Sequence, residues 1–236
     1  MRFNKLDLFR WIAIILMIIF HINYSLVNIF WIHYINKYPN VWFIVWKIAA
    51  ILFIFIAWIS FYLALQKYKE KIYFKYFKVI FLLAIIASLI SFFTYILINK
   101  QYIKFWIIHF FALSFFLLLF FYRFKYYNIL FWLIFIIYWI FFIPIIQNKY
   151  FYFLWFIYNW FKSADYYPIF PYFWIMLFWY SFALYLSDNW KLNILQSKNK
   201  QNIFDRILEY FWKNSLIIYL IHVPIIILII YLLNML

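Results

Sequence analysis

The chain has 236 residues, of which 72% are hydrophobic and only 11% are charged, and it contains no cysteine. Ordinary soluble domains carry about 25% charged residues, and a domain of this length cannot bury so much apolar surface. The composition therefore excludes a soluble globular protein, and the lack of cysteine excludes disulfides and thiolate metal sites. It predicts an all-α, polytopic membrane protein, because a bilayer supplies the apolar solvent.

Apolar stretches long enough to cross about 30 Å of hydrocarbon recur along the whole chain. They predict seven transmembrane helices in a single domain, residues 1–236. The predicted spans lie at 8–29, 41–65, 76–98, 105–121, 128–146, 171–186 and 214–235. The apolar segment 150–161 is too short to cross and is interpreted as an interfacial or re-entrant piece, with an eighth span as the alternative.

Basic residues indicate the orientation. Fifteen of the 21 Lys and Arg residues fall on the side of the amino terminus, and five fall on the opposite side. This asymmetry predicts a cytoplasmic amino terminus and an outer carboxyl terminus, in the cell (inner) membrane. Because loop charges of this kind account for the net charge of +15, no nucleic-acid partner is expected. The loop 187–213 is predicted to contain an amphipathic helix on the cytoplasmic surface.

The first apolar stretch carries two groups that hydrocarbon solvates poorly, Arg10 near its start and His21 deep inside. Asp7 lies one helical turn before Arg10, so it is expected to act as partner or cap for the guanidinium. Arg10 and His21 are eleven residues apart, which on a helix is within about 20° of three full turns. They therefore share one face, about 16 Å apart along the axis, and this face is the predicted functional core.

Depth in the membrane follows from sequence position at about 1.5 Å per residue. His21 falls in the outer half of its span, His109 about one turn below the outer surface, and His222 near the midplane. Asp165 lies in the outer loop before the sixth span. Ionisable groups at such depths are functional candidates, so these four residues form the predicted catalytic set.

Each candidate also has a purely structural interpretation. A buried histidine can tie two helices together through a hydrogen bond, and Asp165 can anchor its loop or pair with Lys162. Three histidines could bind zinc, but their spacing shows no metal-site pattern, so no metal is expected.

Five short motifs, in order along nearly the whole chain, resemble one family. In the first, LDLFRWIAIILMIIFH, Arg10 and His21 resemble the arginine and histidine that begin the first helix of the transmembrane acyltransferase superfamily. The others are FIAWISFYLAL at 55–65, the segment 105–117, SADYYPIFPYFWIMLFW at 163–179 and KNSLIIYLIHVPI at 213–225. Together they resemble the prokaryotic members of the heparan-α-glucosaminide N-acetyltransferase catalytic-domain family.

The resemblance implies transfer of an acetyl group from cytoplasmic acetyl-CoA to an amino sugar or other glycan on the outer face. Arg10, with Asp7, is then expected to bind the donor, because a guanidinium binds phosphate through paired hydrogen bonds. His21 would act as the general base for the acceptor or would itself carry the acetyl group.

The other candidates are given supporting roles by the same resemblance: Asp165, His109 and His222 would orient the acceptor or polarise His21. The family often has an acidic residue soon after the first histidine, where this chain has Asn23 followed by Tyr and Ser. Two other functions stay open, an O-acyltransferase of a surface polysaccharide or lipid-linked glycan, and a small proton-coupled transporter. The sequence also leaves open whether the protein forms a homo-oligomer.

Glycine is absent, although ordinary usage of about 7% would give roughly 16 residues, and tryptophan occurs 14 times. Related sequences lead us to expect glycine at several of the tryptophans, because small residues let membrane helices approach closely. These positions are Trp11, Trp58, Trp106, Trp174, Trp179 and Trp212. One hypothesis explains both counts: a UGA codon that means glycine has been read as tryptophan. The alternative is a glycine-free protein from a strongly biased genome.

Overall fold

The computed structural model describes residues 4–32, 38–98, 101–141, 150–163, 165–188, 210 and 214–234. Within these residues the chain forms seven α-helices of 14 to 30 residues and no β-strand, which confirms the all-α class. The helices are α1 (Asn4–Asn28), α2 (Pro39–Tyr68), α3 (Ile72–Ile98), α4 (Ile107–Phe121), α5 (Asn128–Phe141), α6 (Ile169–Asp188) and α7 (Ser215–Asn234). Short 3-10 turns occupy Lys69–Lys71, Tyr122–Tyr127 and Tyr152–Leu154.

Each predicted apolar stretch coincides with one of these helices. The fourth begins at Ile107 rather than at 105, because Phe105 forms an isolated parallel bridge with Tyr166 in a neighbouring loop. The segment 150–161 contains only the turn at Tyr152–Leu154, so it holds no helix of spanning length. The predicted surface helix in 187–213 lies almost entirely outside the described residues.

Length and apolarity identify four helical stretches among the described residues that could cross a membrane: Leu6–Asn28, Pro39–Leu97, Ile107–Phe141 and Ser215–Leu233. A shorter apolar helix covers Ile169–Tyr185. The 59-residue stretch would measure about 90 Å as one helix, three times the hydrocarbon thickness. It consists of α2 and α3, which left-handed Lys69 separates, and Lys125 separates α4 from α5 in the same way. Among the described residues the protein is thus all-helical, and these apolar stretches are those of an integral membrane protein.

The chain divides into two compact units, one formed by residues 1–56 with 191–236 and the other by residues 57–190. In the first unit α1 packs against α7, and Ile14, Met17 and Ala49 form a buried cluster. In the second unit α3 packs against α4, and α5 against α6. Phe61 is fully buried there, and its ring contacts four other aromatic rings. A single domain over the whole chain stays a prediction.

Four described residues have positive φ angles, and two of them are tryptophans: Trp31 at 59° and Trp155 at 85°. Trp31 lies in the turn that follows α1, and Trp155 ends the Tyr152–Leu154 turn. A left-handed residue after a helix is usually glycine, because any Cβ crowds the backbone there. A bulky side chain at such an angle is an outlier.

The described tryptophans that were expected to be glycine have no positive φ angle. Trp11 lies in α1 of the first unit, and the other four, Trp58, Trp106, Trp174 and Trp179, belong to the second unit. The indoles of Trp58 and Trp179 stack with centroids 6.2 Å apart. Trp174 is 1% exposed and stacks on Phe135, and its Nε1 has no hydrogen-bond partner. Trp212 lies outside the described residues. Whether these codons mean glycine stays a prediction.

Candidate active site

Asp7 and Arg10 form an ion pair in the first turns of α1, with Nη1 and Oδ1 2.9 Å apart. The two side chains are 8% and 14% exposed, respectively. The carboxylate also lies near the positive end of the helix dipole, which stabilises it. The predicted partnership is therefore confirmed, and the guanidinium charge is balanced within its own helix.

His21 hydrogen-bonds to its own helix one turn back. Its Nδ1 lies 2.9 Å from the carbonyl oxygen of Met17. Because a carbonyl only accepts, Nδ1 carries the hydrogen and Nε2 of the neutral ring keeps its lone pair. The edge of the ring packs at 85° against Phe20, with centroids 5.2 Å apart. His21 therefore offers Nε2, which is the atom that a general base or an acetyl carrier needs.

His222 on α7 repeats this arrangement beside His21. Its Nδ1 lies 2.7 Å from the carbonyl oxygen of Tyr219, so its Nε2 also keeps a lone pair. The two imidazole rings lie with centroids 4.7 Å apart and planes at 86°. His222 is 4% exposed, and its Nε2 is buried without a hydrogen-bond partner. The sequence predicted the depth of each histidine but not that the two would meet.

His109, in the second unit, has the opposite tautomer. Its Nδ1 accepts a hydrogen bond from the backbone N–H of Trp106 at 3.1 Å, so Nε2 carries the hydrogen. That Nε2 donates to Ser91 Oγ at 3.1 Å, and Ser91 donates to the carbonyl of Ile103 at 2.7 Å. Both ring nitrogens are thus engaged, and the chain of bonds ties α3 to the start of α4. These contacts favour the structural interpretation, and a catalytic role for His109 stays a prediction.

Asp165 lies in the loop before α6, where its carboxylate accepts hydrogen bonds from the backbone N–H of Tyr166 at 2.9 Å and from the indole of Trp106. Burial raises the pKa of Asp165 to about 7, although both hydrogen bonds act to lower it. Among the described residues no ion pair joins Asp165 to Lys162, whose side chain is exposed. The loop is fixed further by Ser163, whose hydroxyl donates to the Asp165 carbonyl at 2.6 Å.

Nearly the whole chain matches one known family. A model of the catalytic region of heparan-α-glucosaminide N-acetyltransferase matches residues 2–224, which include all four candidate catalytic residues. The chain belongs to this family. No curated protein and no solved structure gives a significant match to the chain. The family that the five motifs suggested is therefore confirmed.

Membership of the heparan-α-glucosaminide N-acetyltransferase family implies a membrane enzyme of the acyltransferase type. The acyltransferase interpretation is confirmed at this level of detail. In the part of the chain that the structure describes, no group of three His, Asp or Glu residues could hold a metal ion.

In this member of the acetyltransferase family, two further polar residues of α1 are buried. Both follow His21 closely in the sequence. Asn23 is 6% exposed and Ser25 is 1% exposed. Asn23 Oδ1 and Ser25 Oγ have no hydrogen-bond partner. Ser25 follows His21 by four residues and so lies on the same face of the helix. Sequence reasoning missed both as site residues, although polar residues inside an apolar run are themselves a signal.

Proposed function

We propose that this protein is a transmembrane acetyltransferase of the cell (inner) membrane, which transfers an acetyl group from cytoplasmic acetyl-CoA to an amino sugar or other glycan on the outer face. The proposal rests on the pair formed by His21 and His222 in a membrane enzyme of the acyltransferase type. His222 is buried and His21 is partly buried, and the Nε2 atom of each imidazole keeps its lone pair.

The proposed topology has seven crossings and a cytoplasmic amino terminus. Support comes from α2 and α3, whose 30 and 27 residues each suffice to cross about 30 Å once. The shorter α4, α5 and α6 would cross with help from the turns that flank them. The fifteen-to-five distribution of basic residues supports the orientation.

Donor binding is assigned to the Asp7–Arg10 end of α1, which this topology places at the cytoplasmic surface. The phosphate groups of acetyl-CoA fit a guanidinium, which presents several N–H donors in one plane. Because Asp7 already balances the charge of Arg10, phosphate would bind a paired arginine more weakly than a lone one. His21 lies about 16 Å further along the same helix, in the direction in which the extended thiol arm of the donor would run.

The chemical step is assigned to His21 Nε2. Acting as a general base, this atom takes the proton from the acceptor amine or hydroxyl while the acceptor attacks the thioester carbonyl. The C–S bond then breaks, and the departing thiolate receives the proton from Nε2. If His21 carries the acetyl group instead, the same lone pair attacks the carbonyl first. The hydrogen on Nδ1, held by the Met17 carbonyl, fixes the ring in the tautomer that both routes require.

Asp165 and His109 belong to the other compact unit and are assigned separately. A carboxyl group whose pKa is raised to about 7 can either donate or accept a hydrogen bond at neutral pH. We assign Asp165 to binding of the polar acceptor and His109 to holding the start of α4, through the bonds from Trp106 and to Ser91.

The test uses the purified protein in lipid vesicles, with labelled acetyl-CoA on one side and a panel of amino sugars and cell-wall glycans on the other. Wild-type protein should consume the donor and label an acceptor. His21→Ala should lose about 10²–10⁴-fold in rate, the usual contribution of a general base. The matched control is Ser114→Ala, which removes another buried polar side chain in the second unit.

Undiminished acetyl transfer by well-folded His21→Ala would refute the assignment of His21. Movement of a substrate across the vesicle without consumption of acetyl-CoA would refute the enzyme and support the transporter. Acceptors labelled only on oxygen would identify an O-acyltransferase.

A further inference from the structure

His222 Nε2 is the least satisfied atom of the histidine pair. A buried lone pair without a hydrogen-bond donor is unfavourable, and such groups in folded proteins call for an explanation. The atom lies in a ring whose neighbour, His21, also has an unprotonated Nε2. If a proton binds to His21 Nε2, that atom becomes a hydrogen-bond donor. The acceptor available to it on the neighbouring ring is His222 Nε2.

The surroundings favour one proton on the pair rather than two. Among the described residues of the first unit, the charged groups with known side-chain positions are Asp7, Arg10 and Lys47. Asp7 and Arg10 are paired with each other about three turns away on α1, and the ammonium of Lys47 lies over the Trp46 ring at 4.4 Å. The described part of α7 carries no Asp, Glu, Lys or Arg. The titratable neighbour of His222 is the Tyr219 phenol, with ring centroids 5.6 Å apart. No carboxylate among these described groups balances a second positive charge on the imidazoles.

We propose that His21 and His222 act as one acid–base unit that takes up one proton beyond the two Nδ1 hydrogens. In this unit His222 is the positioning residue. This inference rests on the proposed function of His21. The proton leaves the acceptor group for His21 Nε2, and the new N–H donates to His222 Nε2. Both Nδ1–H groups keep their hydrogens and continue to donate to the Met17 and Tyr219 carbonyl oxygens. When the thiolate of the donor departs it takes the proton, and the pair returns to its neutral state.

The experiment compares three variants in the vesicle assay, each checked for folding by size-exclusion chromatography and thermal unfolding. His222→Leu keeps an apolar side chain of similar size but has no acceptor, so kcat should fall at least about tenfold with little change in KM. The acidic limb of its pH profile should move to lower pH, because the proton on His21 has lost its acceptor. His222→Gln, whose amide oxygen can accept the same hydrogen bond, should recover part of kcat. The double variant His21→Ala with His222→Leu should be no slower than His21→Ala alone, because groups that act as a unit are not additive.

An unchanged pH profile in folded His222→Leu would overturn the inference, and so would a His222→Gln variant with no recovery of kcat. It would also be overturned if the rate loss of the double variant equalled the product of the rate losses of the two single variants. If His222→Leu does not fold, the pH profile of His222→Gln decides, since a proton shared by two imidazoles titrates differently from one beside an amide. Failure of the proposed function itself is distinguishable, because then the wild-type protein would transfer no acetyl group.

A second inference follows from a different observation, the two left-handed tryptophans. Trp31 has a φ angle of 59°, and its side chain is 75% exposed. Trp155 has φ 85° and ψ 6°, angles that glycine adopts without strain. Neither position was among those for which the family motifs suggested glycine. With glycine absent and tryptophan present 14 times, we infer that residues 31 and 155 are glycine in the natural protein and that their codons are UGA.

The test reads the two codons and measures the masses of peptides covering residues 31 and 155 from protein made by the source organism. UGA codons with the mass of glycine would support the inference. UGG codons, or the mass of tryptophan at either position in the natural protein, would overturn it there.

Discussion

Trp31 provides a measurable consequence of the left-handed backbone. Replacing it by either alanine or glycine removes the whole indole, so the burial lost is the same in both variants. The variants then differ only in the Cβ and in chain entropy. For an L-residue the left-handed conformation costs about 1–2 kcal/mol, whereas glycine loses about 0.5–1 kcal/mol more entropy on folding. Trp31→Gly should therefore be more stable than Trp31→Ala by up to about 1.5 kcal/mol.

The matched control is Trp160, which is 85% exposed and whose φ angle is not positive. There the entropy term acts alone, so Trp160→Gly should be less stable than Trp160→Ala by about 0.4–1 kcal/mol. The assay is thermal unfolding of the detergent-solubilised protein at one heating rate, in which about 1 kcal/mol corresponds to about 2–4 °C for a chain of this size. The reasoning would be refuted if the stability difference between the glycine and alanine variants had the same sign at residues 31 and 160. The two variants at Trp155 should differ in the same direction as those at Trp31.

Three other substitutions test the contacts around the candidate residues. Because the pKa of Asp165 is raised, the folded protein binds this proton more tightly than the unfolded chain does. Stability should therefore fall as the pH rises from about 3.8 to about 7. In Asp165→Asn the melting temperature should depend less on pH over this range. Ser91→Ala should cost about 1–3 kcal/mol of unfolding free energy by leaving the partly buried Nε2–H of His109 without its acceptor. Asp7→Ala should leave the Arg10 charge largely buried without its carboxylate, costing up to about 3–5 kcal/mol and lowering the yield of folded protein in the membrane.

Sequence reasoning predicted the helices well because lipid allows few alternatives. A backbone in hydrocarbon must satisfy its hydrogen bonds within one segment, so each apolar stretch of sufficient length becomes a helix. The Asp7–Arg10 pair was predictable for the same local reason, since residues three apart meet on one helix face. The predicted start of α4 was two residues too early. Phe105 instead forms a bridge with Tyr166, and a contact between two distant loops cannot be predicted from the local sequence.

The contents of the site were less predictable, because they depend on packing between helices. Nothing in the spacing of His21 and His222, 201 positions apart in the sequence, indicated that their rings would touch. The tautomers could not be predicted from the sequence either. The Met17 and Tyr219 carbonyls accept hydrogen bonds from Nδ1 of His21 and His222, respectively, whereas the Trp106 amide donates one to Nδ1 of His109. These opposite hydrogen-bond patterns separate histidines with an available lone pair from one whose nitrogens are both engaged.

Trp106 connects the question of the genetic code with the candidate site. Its indole hydrogen bond acts to lower the pKa of Asp165, and its backbone N–H fixes the tautomer of His109. If residue 106 is glycine in the natural protein, the backbone N–H remains and the bond to His109 survives. The indole does not remain, so Asp165 keeps the Tyr166 amide as a donor and its carboxyl becomes harder to ionise. The space that the indole leaves lies beside that carboxyl, where an acceptor amine or hydroxyl could replace the lost hydrogen bond. Reading codon 106 is therefore a question about Asp165 as much as about the sequence.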